Sequence, residues 1–225
     1  GAKVALLDLN EGLARAVAAE LGGIAVRCDV ADAGSAEAAV AAASGALGPA
    51  RILVNCAGIG VAQRIVGRDG PMPLADFKRV IDINLVGSFN MIRLAASDMM
   101  PLGALDEGER GVIVSTASVA AYEGQIGQAA YSASKGGIVA LTLPAAREFA
   151  RAGIRVNAIA PGIFQTPMMA GLPQAAQDSL GAQVPHPSRL GKPEEYAALV
   201  EHIVRNPMLN GETIRLDGAI RMAPR

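Results

Sequence analysis

Ser118, Tyr131 and Lys135 are the residues of this chain whose types and spacing point most directly to chemistry. Tyr131-Ser132-Ala133-Ser134-Lys135 sets a phenol and an amine four residues apart, and Ser118 lies thirteen residues ahead of the tyrosine. If 131–135 is helical, positions i and i+4 share a face, so hydroxyl and ammonium enter the same space. A free tyrosine titrates near ~10 and is a poor base at neutral pH. A cation beside it stabilises the phenolate, the tuning that a general acid–base requires. Ser118, just past the apolar run Val112-Ile113-Val114, can hydrogen-bond the oxygen that gains or loses the proton. The combination suits moving a proton on and off an alcohol or carbonyl. Tyr-x-x-x-Lys alone is common on amphipathic helices, so the weight falls on what surrounds it.

The elements that must position these groups are short apolar runs alternating with longer Ala-rich helical patterns. Strands are predicted at Val4–Leu7, Ile24–Arg27, Ile52–Asn55, Val112–Ser115, Arg155–Ile159 and Glu212–Leu216. Helices are predicted at Glu11–Leu21, Ser35–Leu47, Leu74–Met100, Gln128–Arg151 and Pro193–Arg205, the third being two helices that meet near Gly87. Strands that read as continuous apolar runs are parallel and covered on both faces. Alternating β and α elements give an α/β class with a doubly wound, Rossmann-like parallel sheet, one domain over residues 1–225. Two long loops, Gly58–Pro73 and Gly162–Lys192, fall where such folds build their sites. The second, rich in Pro, Gly and Met, reads as a mobile substrate lid over about 162–192.

Composition narrows the function classes. A net charge of −1 gives no basic surface for nucleic acid or for an anionic membrane. No apolar run reaches the ~18 residues that span a bilayer, and no basic-then-apolar leader opens the sequence. Cys28 and Cys56, each in or beside a predicted strand, read as reduced thiols of a cytoplasmic protein. His186 and His202 stand apart, with no Cys/His spacing for a metal.

Several strand ends carry residues suited to a dinucleotide. Asp8 ends the first strand, where a carboxylate can accept hydrogen bonds from adenosine ribose hydroxyls and would repel a 2′-phosphate. The following Leu9, Asn10 and Glu11 bring no cation to offset it, which favours NAD over NADP. Asp8 is equally a candidate N-cap for the helix that begins near Glu11. Asp29 can take an adenine amino group while the Val30 backbone lines the ring. Asn55-Cys56-Ala57-Gly58 offers small residues for close backbone approach. Asn84, in an apolar helical pattern, must find partners: it is either a packing polar group or a kink that holds a water beside Lys135. Pro161-Gly162 leads through Ile163 and Phe164 to Thr166, a run that can present backbone groups and a hydroxyl to the nicotinamide amide and phosphates.

Taken together, Asn55–Gly58, Asn84, Ser118, Tyr131, Lys135 and Pro161-Gly162 resemble the short-chain dehydrogenase/reductase family along the whole chain. The resemblance implies NAD(P)-dependent hydride transfer, with Tyr131 as general acid–base, Ser118 positioning the substrate oxygen, Lys135 lowering the Tyr131 pKa and binding the nicotinamide ribose, and Asn84 holding a relay water. Ser118–Tyr131, Ala160–Met168 and Leu209–Gly218 are similar to the type II 3-hydroxyacyl-CoA dehydrogenases, the branch with 17β-hydroxysteroid and 2-methyl-3-hydroxybutyryl-CoA dehydrogenase activities. That closer likeness implies oxidation of an acyl-CoA 3-hydroxyl by NAD in fatty acid metabolism, with Gln125 a substrate contact beside Ser118 and Tyr131. Met168, Met169 and Leu172 suit an acyl chain, and a homotetramer is implied.

One departure qualifies this reading. The family opens with a strand and a Gly-rich turn that receives the pyrophosphate, whereas this sequence starts at the second strand. A βα unit of roughly 25–30 residues is expected ahead of Gly1. Without it the sheet would have a gap with two unpaired inner edges. A catalytically silent fragment that lacks the cofactor loop is therefore one alternative; a related alcohol or steroid dehydrogenase or a 3-oxoacyl reductase on the same scaffold is another. Arg64, Arg68 and Arg189 are candidates for CoA phosphates or plain solvated cations.

Overall fold

A computed structural model describes residues 1–166, 169, 171 and 173–224. The chain starts with β1 (Ala5–Asp8), α1 (Glu11–Leu21), β2 (Ile24–Arg27) and α2 (Ala33–Leu47). Both helices start at short polar side chains: Asn10 Oδ1 accepts from Leu13 N at 3.2 Å, and Asp32 Oδ1 accepts from Ser35 N at 2.6 Å. Asn10, not Asp8, is thus the cap of α1. The chain continues through β3 (Ile52–Asn55), a hairpin of β4 (Val66–Gly67) and β5 (Gly70–Pro71), and α3 (Leu74–Ile81). Next come α4 (Gly87–Met99), β6 (Gly111–Thr116), α5 (Ala129–Phe149), β7 (Ile154–Pro161), α6 (Gln174–Gly181), α7 (Pro193–Arg205) and β8 (Thr213–Leu216).

Strands β3, β6, β7 and β8 form one parallel sheet in that order, with Val54 opposite Val114 and Val114 opposite Asn157. Both faces of its centre are covered. Ile113 and Val156 pack against Ile92, Met99 and Ala145 of α4 and α5, while Val112, Val114 and Ile159 pack against Ile203 of α7. Fully burying one such aliphatic side chain stabilises by ~1.5–3 kcal/mol, so these two layers hold the strand ends in place. Strands β1 and β2 pair in parallel as a separate ladder and share no pairing with β3. The α/β architecture is therefore present with its sheet in two blocks. The β3 edge shows it: Ile52 and Val54 are 42% and 38% exposed, although a central parallel strand would bury both.

The two helices expected to meet near Gly87 join one turn earlier. Residues Asp82–Val86 form a π turn, and Gly87 keeps helical dihedrals. The turn is held by Asn84, which is fully buried: its Oδ1 accepts from Ile59 N at 2.8 Å and its Nδ2 donates to Ile59 O at 2.9 Å. Gly87 serves packing instead, since a Cβ there would sit 2.5 Å from Val30 Cγ2. The segment expected as a mobile lid, about 162–192, contains α6, and Phe164 pairs with Gly191 across it.

Candidate active site

Because the strands within each block are parallel, Asn55, Thr116 and Pro161 end at one edge of the larger sheet and Asp8 and Arg27 at one edge of the smaller. Helix α5 brings Tyr131 and Lys135 to the larger edge. Their i, i+4 spacing sets the Lys135 ammonium 5.7 Å from the Tyr131 ring centroid. Lys135 is 5% exposed and donates to Thr116 O at 2.7 Å. Burial pulls its pKa down to about 8, partly opposed by the nearby Cys56. Ser118 follows β6 with an extended backbone, and its Oγ accepts from Ala120 N at 3.1 Å. Burial raises the Tyr131 pKa, and the neighbouring Ser118 hydroxyl opposes this only in part. Desolvation dominates the Tyr131 shift, and the Lys135 ammonium donates to Thr116 O.

Asn84 stands beside this pair. Its second Nδ2 hydrogen goes to Ser134 Oγ at 3.0 Å, and its own carbonyl accepts from Ser88 Oγ at 2.7 Å. Of its two sequence readings, the side chain takes the packing one: both amide hydrogens are engaged by protein groups.

Thr116 and Tyr196 were not singled out by sequence. Thr116 Oγ1 donates to Asn55 O at 2.6 Å and lies 2.7 Å from Tyr196 OH, while the Thr116 carbonyl takes Lys135. A polar residue closing an apolar strand was the signal available for Thr116. Tyr196 is eighty residues away and offered none. Asn55 is locked by its Nδ2 bond to Ser115 Oγ at 3.2 Å.

The residues at the rim fit a dinucleotide on three observations. Cys56, Ala57 and Gly58 are exposed at the end of β3, and a Cβ on Gly58 would lie 3.2 Å from Asn84 Oδ1 and 3.7 Å from Lys135 Nζ. Asp8 is exposed, and among the described residues only its Oδ1 is engaged, by Asn10 N at 2.7 Å. Lys135 has three donors and one hydrogen bond among the described residues. Other rim positions are more committed. Asp29 Oδ1 accepts from Ala31 N at 3.0 Å, and the Val30 carbonyl accepts from Asn90 Nδ2 at 2.9 Å. Gly162 N donates to Leu216 O at 2.9 Å, and Thr166 Oγ1 accepts from Met169 N at 3.3 Å. Phe164 lines a separate cavity of about 130 Å³ with Val184, Gly191 and Leu216.

On the substrate side, Gln125 lines a cavity of about 500 Å³ with Arg64, Ile65, Val66, Ile126 and Ser132. Its side-chain Nε2 donates to Ala223 O at 2.9 Å. Arg189, a candidate for CoA phosphates, is engaged instead by a fork on Glu195, at 2.9 and 2.6 Å. Met168 and Leu172 lie outside the described residues. Cys28 and Cys56 are free thiols. Among the described residues, no helix is long and apolar enough to cross a membrane.

A parallel α/β sheet with a Ser–Tyr–Lys cluster at its carboxyl edge defines a nicotinamide-dependent dehydrogenase or reductase. Residues 1–219 match the family described as Enoyl-(Acyl carrier protein) reductase, and the chain belongs to the short-chain dehydrogenase/reductase family. It is 53% identical to human 3-hydroxyacyl-CoA dehydrogenase type-2, over all of this chain and 87% of that protein. It is 49% identical to the enzyme of the same name from Drosophila melanogaster, over all of this chain and 89% of that one. The crystal structure of 3-hydroxyacyl-CoA dehydrogenase type-2 from Mycobacterium avium superposes with a TM-score of 0.93 at 44% identity, covering all of this chain and 88% of that one. The chain is an oxidoreductase of this family.

Proposed function

We propose that this protein oxidises the 3-hydroxyl of a 3-hydroxyacyl-CoA with NAD, in a homotetramer in the cytoplasm. The observation that carries the reading is the Ser118–Tyr131–Lys135 cluster at the strand ends. When bound, the nicotinamide ring supplies the two-electron acceptor. Ser118 Oγ holds the substrate oxygen, and the Tyr131 oxygen takes its proton. The phenolate needs a neighbouring cation, and Lys135 is the buried cation within reach of the ring. Thr116 fixes the ammonium from one side, leaving two hydrogens for a ribose diol. Asn84 would hold the relay water through its backbone, since its side chain braces the Ile59 loop. Asp8, with one oxygen unengaged, supports NAD over NADP.

Raised by burial, Tyr131 keeps its proton at neutral pH. Oxidation, which needs the phenolate, therefore speeds up with rising pH, while the reverse reduction slows. The tetramer is supported by exposed apolar side chains on the long helices, Phe89 on α4 at 50% and Leu143 on α5 at 43%. The cytoplasmic location is supported by the two free thiols. Incubation with 3-hydroxybutyryl-CoA and NAD should yield NADH, at a higher kcat/KM than with NADP or with a secondary alcohol lacking CoA. Faster turnover of the simple alcohol would favour the alcohol dehydrogenase reading, and faster use of NADP would overturn the cofactor choice.

A further inference from the structure

The loop between Ser118 and Tyr131 must be held still, because reacting groups stand at both its ends. Its middle is tied to a segment nearly a hundred residues away. Glu123 receives the Arg215 guanidinium as a fork, Nη1 to Oε1 at 2.8 Å and Nη2 to Oε2 at 3.2 Å. Met222 N donates to the same carboxylate at 3.1 Å. Arg215 is in turn fixed by Asp217 Oδ2 at 2.7 Å and by Ile220 O at 3.1 Å, and it lies over the Tyr122 ring at 5.4 Å. Arg221 completes a neutral cluster of two carboxylates and two guanidiniums, 3.4 Å from Glu123 and 3.3 Å from Asp217. Beyond the cluster, Gln125 Nε2 donates to Ala223 O at 2.9 Å and Ile126 N to Pro224 O at 3.0 Å. The Glu123 side chain is 20% exposed, so the fork is partly shielded from water. Its hydrogen bond from Arg215 holds Glu123 below the usual carboxylate range.

The same loop forms a wall of the cavity of about 500 Å³, through Gly124, Gln125 and Ile126. Gln125 thus faces the cavity on one side and residues 217–224 on the other. We propose that Glu123 and Arg215 form a clamp that makes segment 217–224 the brace of the substrate cavity, fixing Gln125 and setting which acyl groups fit. Glu123 is a positioning residue: it acts through the loop and not on the reacting atoms. The proposal rests on the acyl-CoA reading above.

The test compares the parent protein with Glu123→Gln and with a charge-exchanged pair, Glu123→Arg with Arg215→Glu. For each, hydrogen exchange over 122–128 is measured together with kcat and KM for 3-hydroxybutyryl-CoA, a longer 3-hydroxyacyl-CoA and NAD. In Glu123→Gln, exchange in the loop should quicken and KM for acyl-CoA should rise about tenfold, with NAD KM unchanged. The exchanged pair should recover part of both. Unchanged exchange overturns the clamp. Faster exchange with an unchanged acyl-CoA KM overturns its role in the pocket. Should Glu123→Gln fail to fold, Arg221→Ala loosens the cluster from its exposed side without touching the cavity wall, and the same exchange and KM split are read there. A parent that ignores acyl-CoA sinks the functional reading alone, and the exchange rates still decide the clamp.

Discussion

Lys135 and Arg155 are both buried cations set against the same pair of central strands, β6 and β7, at opposite ends. Arg155 sits at the start of β7, 7% exposed, while Lys135 reaches the end of β6, 5% exposed. Arg155 has a complete set of partners: Glu109 at 2.5 Å and the carbonyls of Ile203, Val204, Asn206 and Leu209. Three of those carbonyls close the end of α7, so this cation welds a helix to the sheet. Among the described residues Lys135 has one carbonyl and no carboxylate, and its pKa falls to about 8. A buried charge with every donor engaged holds the fold together, and one with donors to spare destabilises the fold unless a ligand completes it. The amino edge of the sheet has its buried cation fixed by a carboxylate and four carbonyls, while the carboxyl edge keeps donors uncommitted among the described residues.

The sharpest way to break this contrast is Tyr131→Phe. Turnover should fall by about 10²–10⁴-fold while NADH titration and melting temperature stay near the parent values. Parent-like turnover would remove the acid–base role. At the other edge, Arg155→Met strands Glu109 and the carbonyls at the end of α7. It should cost about 3–5 kcal/mol, read as a calorimetric melting shift on the order of 10 °C. A shift of only a degree or two would mean that Arg155 is dispensable.

Lys135→Met should do the reverse: hold or raise stability at neutral pH while weakening NADH binding. The sign follows from titration. Lys135 loses its proton near pH 8 when folded and near 10.5 when unfolded, so between those values the unfolded chain holds the extra proton. The parent should therefore gain stability as pH rises through that window, by up to ~3 kcal/mol relative to Lys135→Met. Parallel pH profiles for the two would show that burial of this ammonium carries no penalty. The smallest effect belongs to Asp8→Ala, which removes one exposed carboxylate and should shift the NAD/NADP preference by about tenfold, ~1.4 kcal/mol. An unaltered ratio, measured as kcat/KM for each cofactor, would leave Asp8 as the partner of Asn10 N alone.

Local rules made much of this fold legible. Ile24–Arg27, Ile52–Asn55, Glu11–Leu21 and Pro193–Arg205 all stand where apolar period and start signals put them. The hairpin β4–β5 is not legible because two-residue strands carry no period, and α6 because eight residues with a single large apolar side chain, Leu180, give no apolar stripe. The i, i+4 meeting of Tyr131 with Lys135 was visible because helix geometry is set within a turn. Thr116 with Tyr196, Asn84 with Ile59 and Arg189 with Glu195 were not, because none of these partnerships follows from a local pattern.

The sequence by itself determined the alternation of elements, the family and the proximity of phenol to amine, all consequences of short-range backbone geometry and side-chain type. Only the tertiary structure decided how those groups titrate. Desolvation depends on what the whole chain packs around an atom: it raises Tyr131 where sequence proximity to a cation suggested the opposite. Tertiary packing likewise decided which polar groups remain free. Among the described residues Lys135 keeps two donors and Asp8 one oxygen, while Arg189 and both amide hydrogens of Asn84 are engaged by partners that the folded chain brings to them.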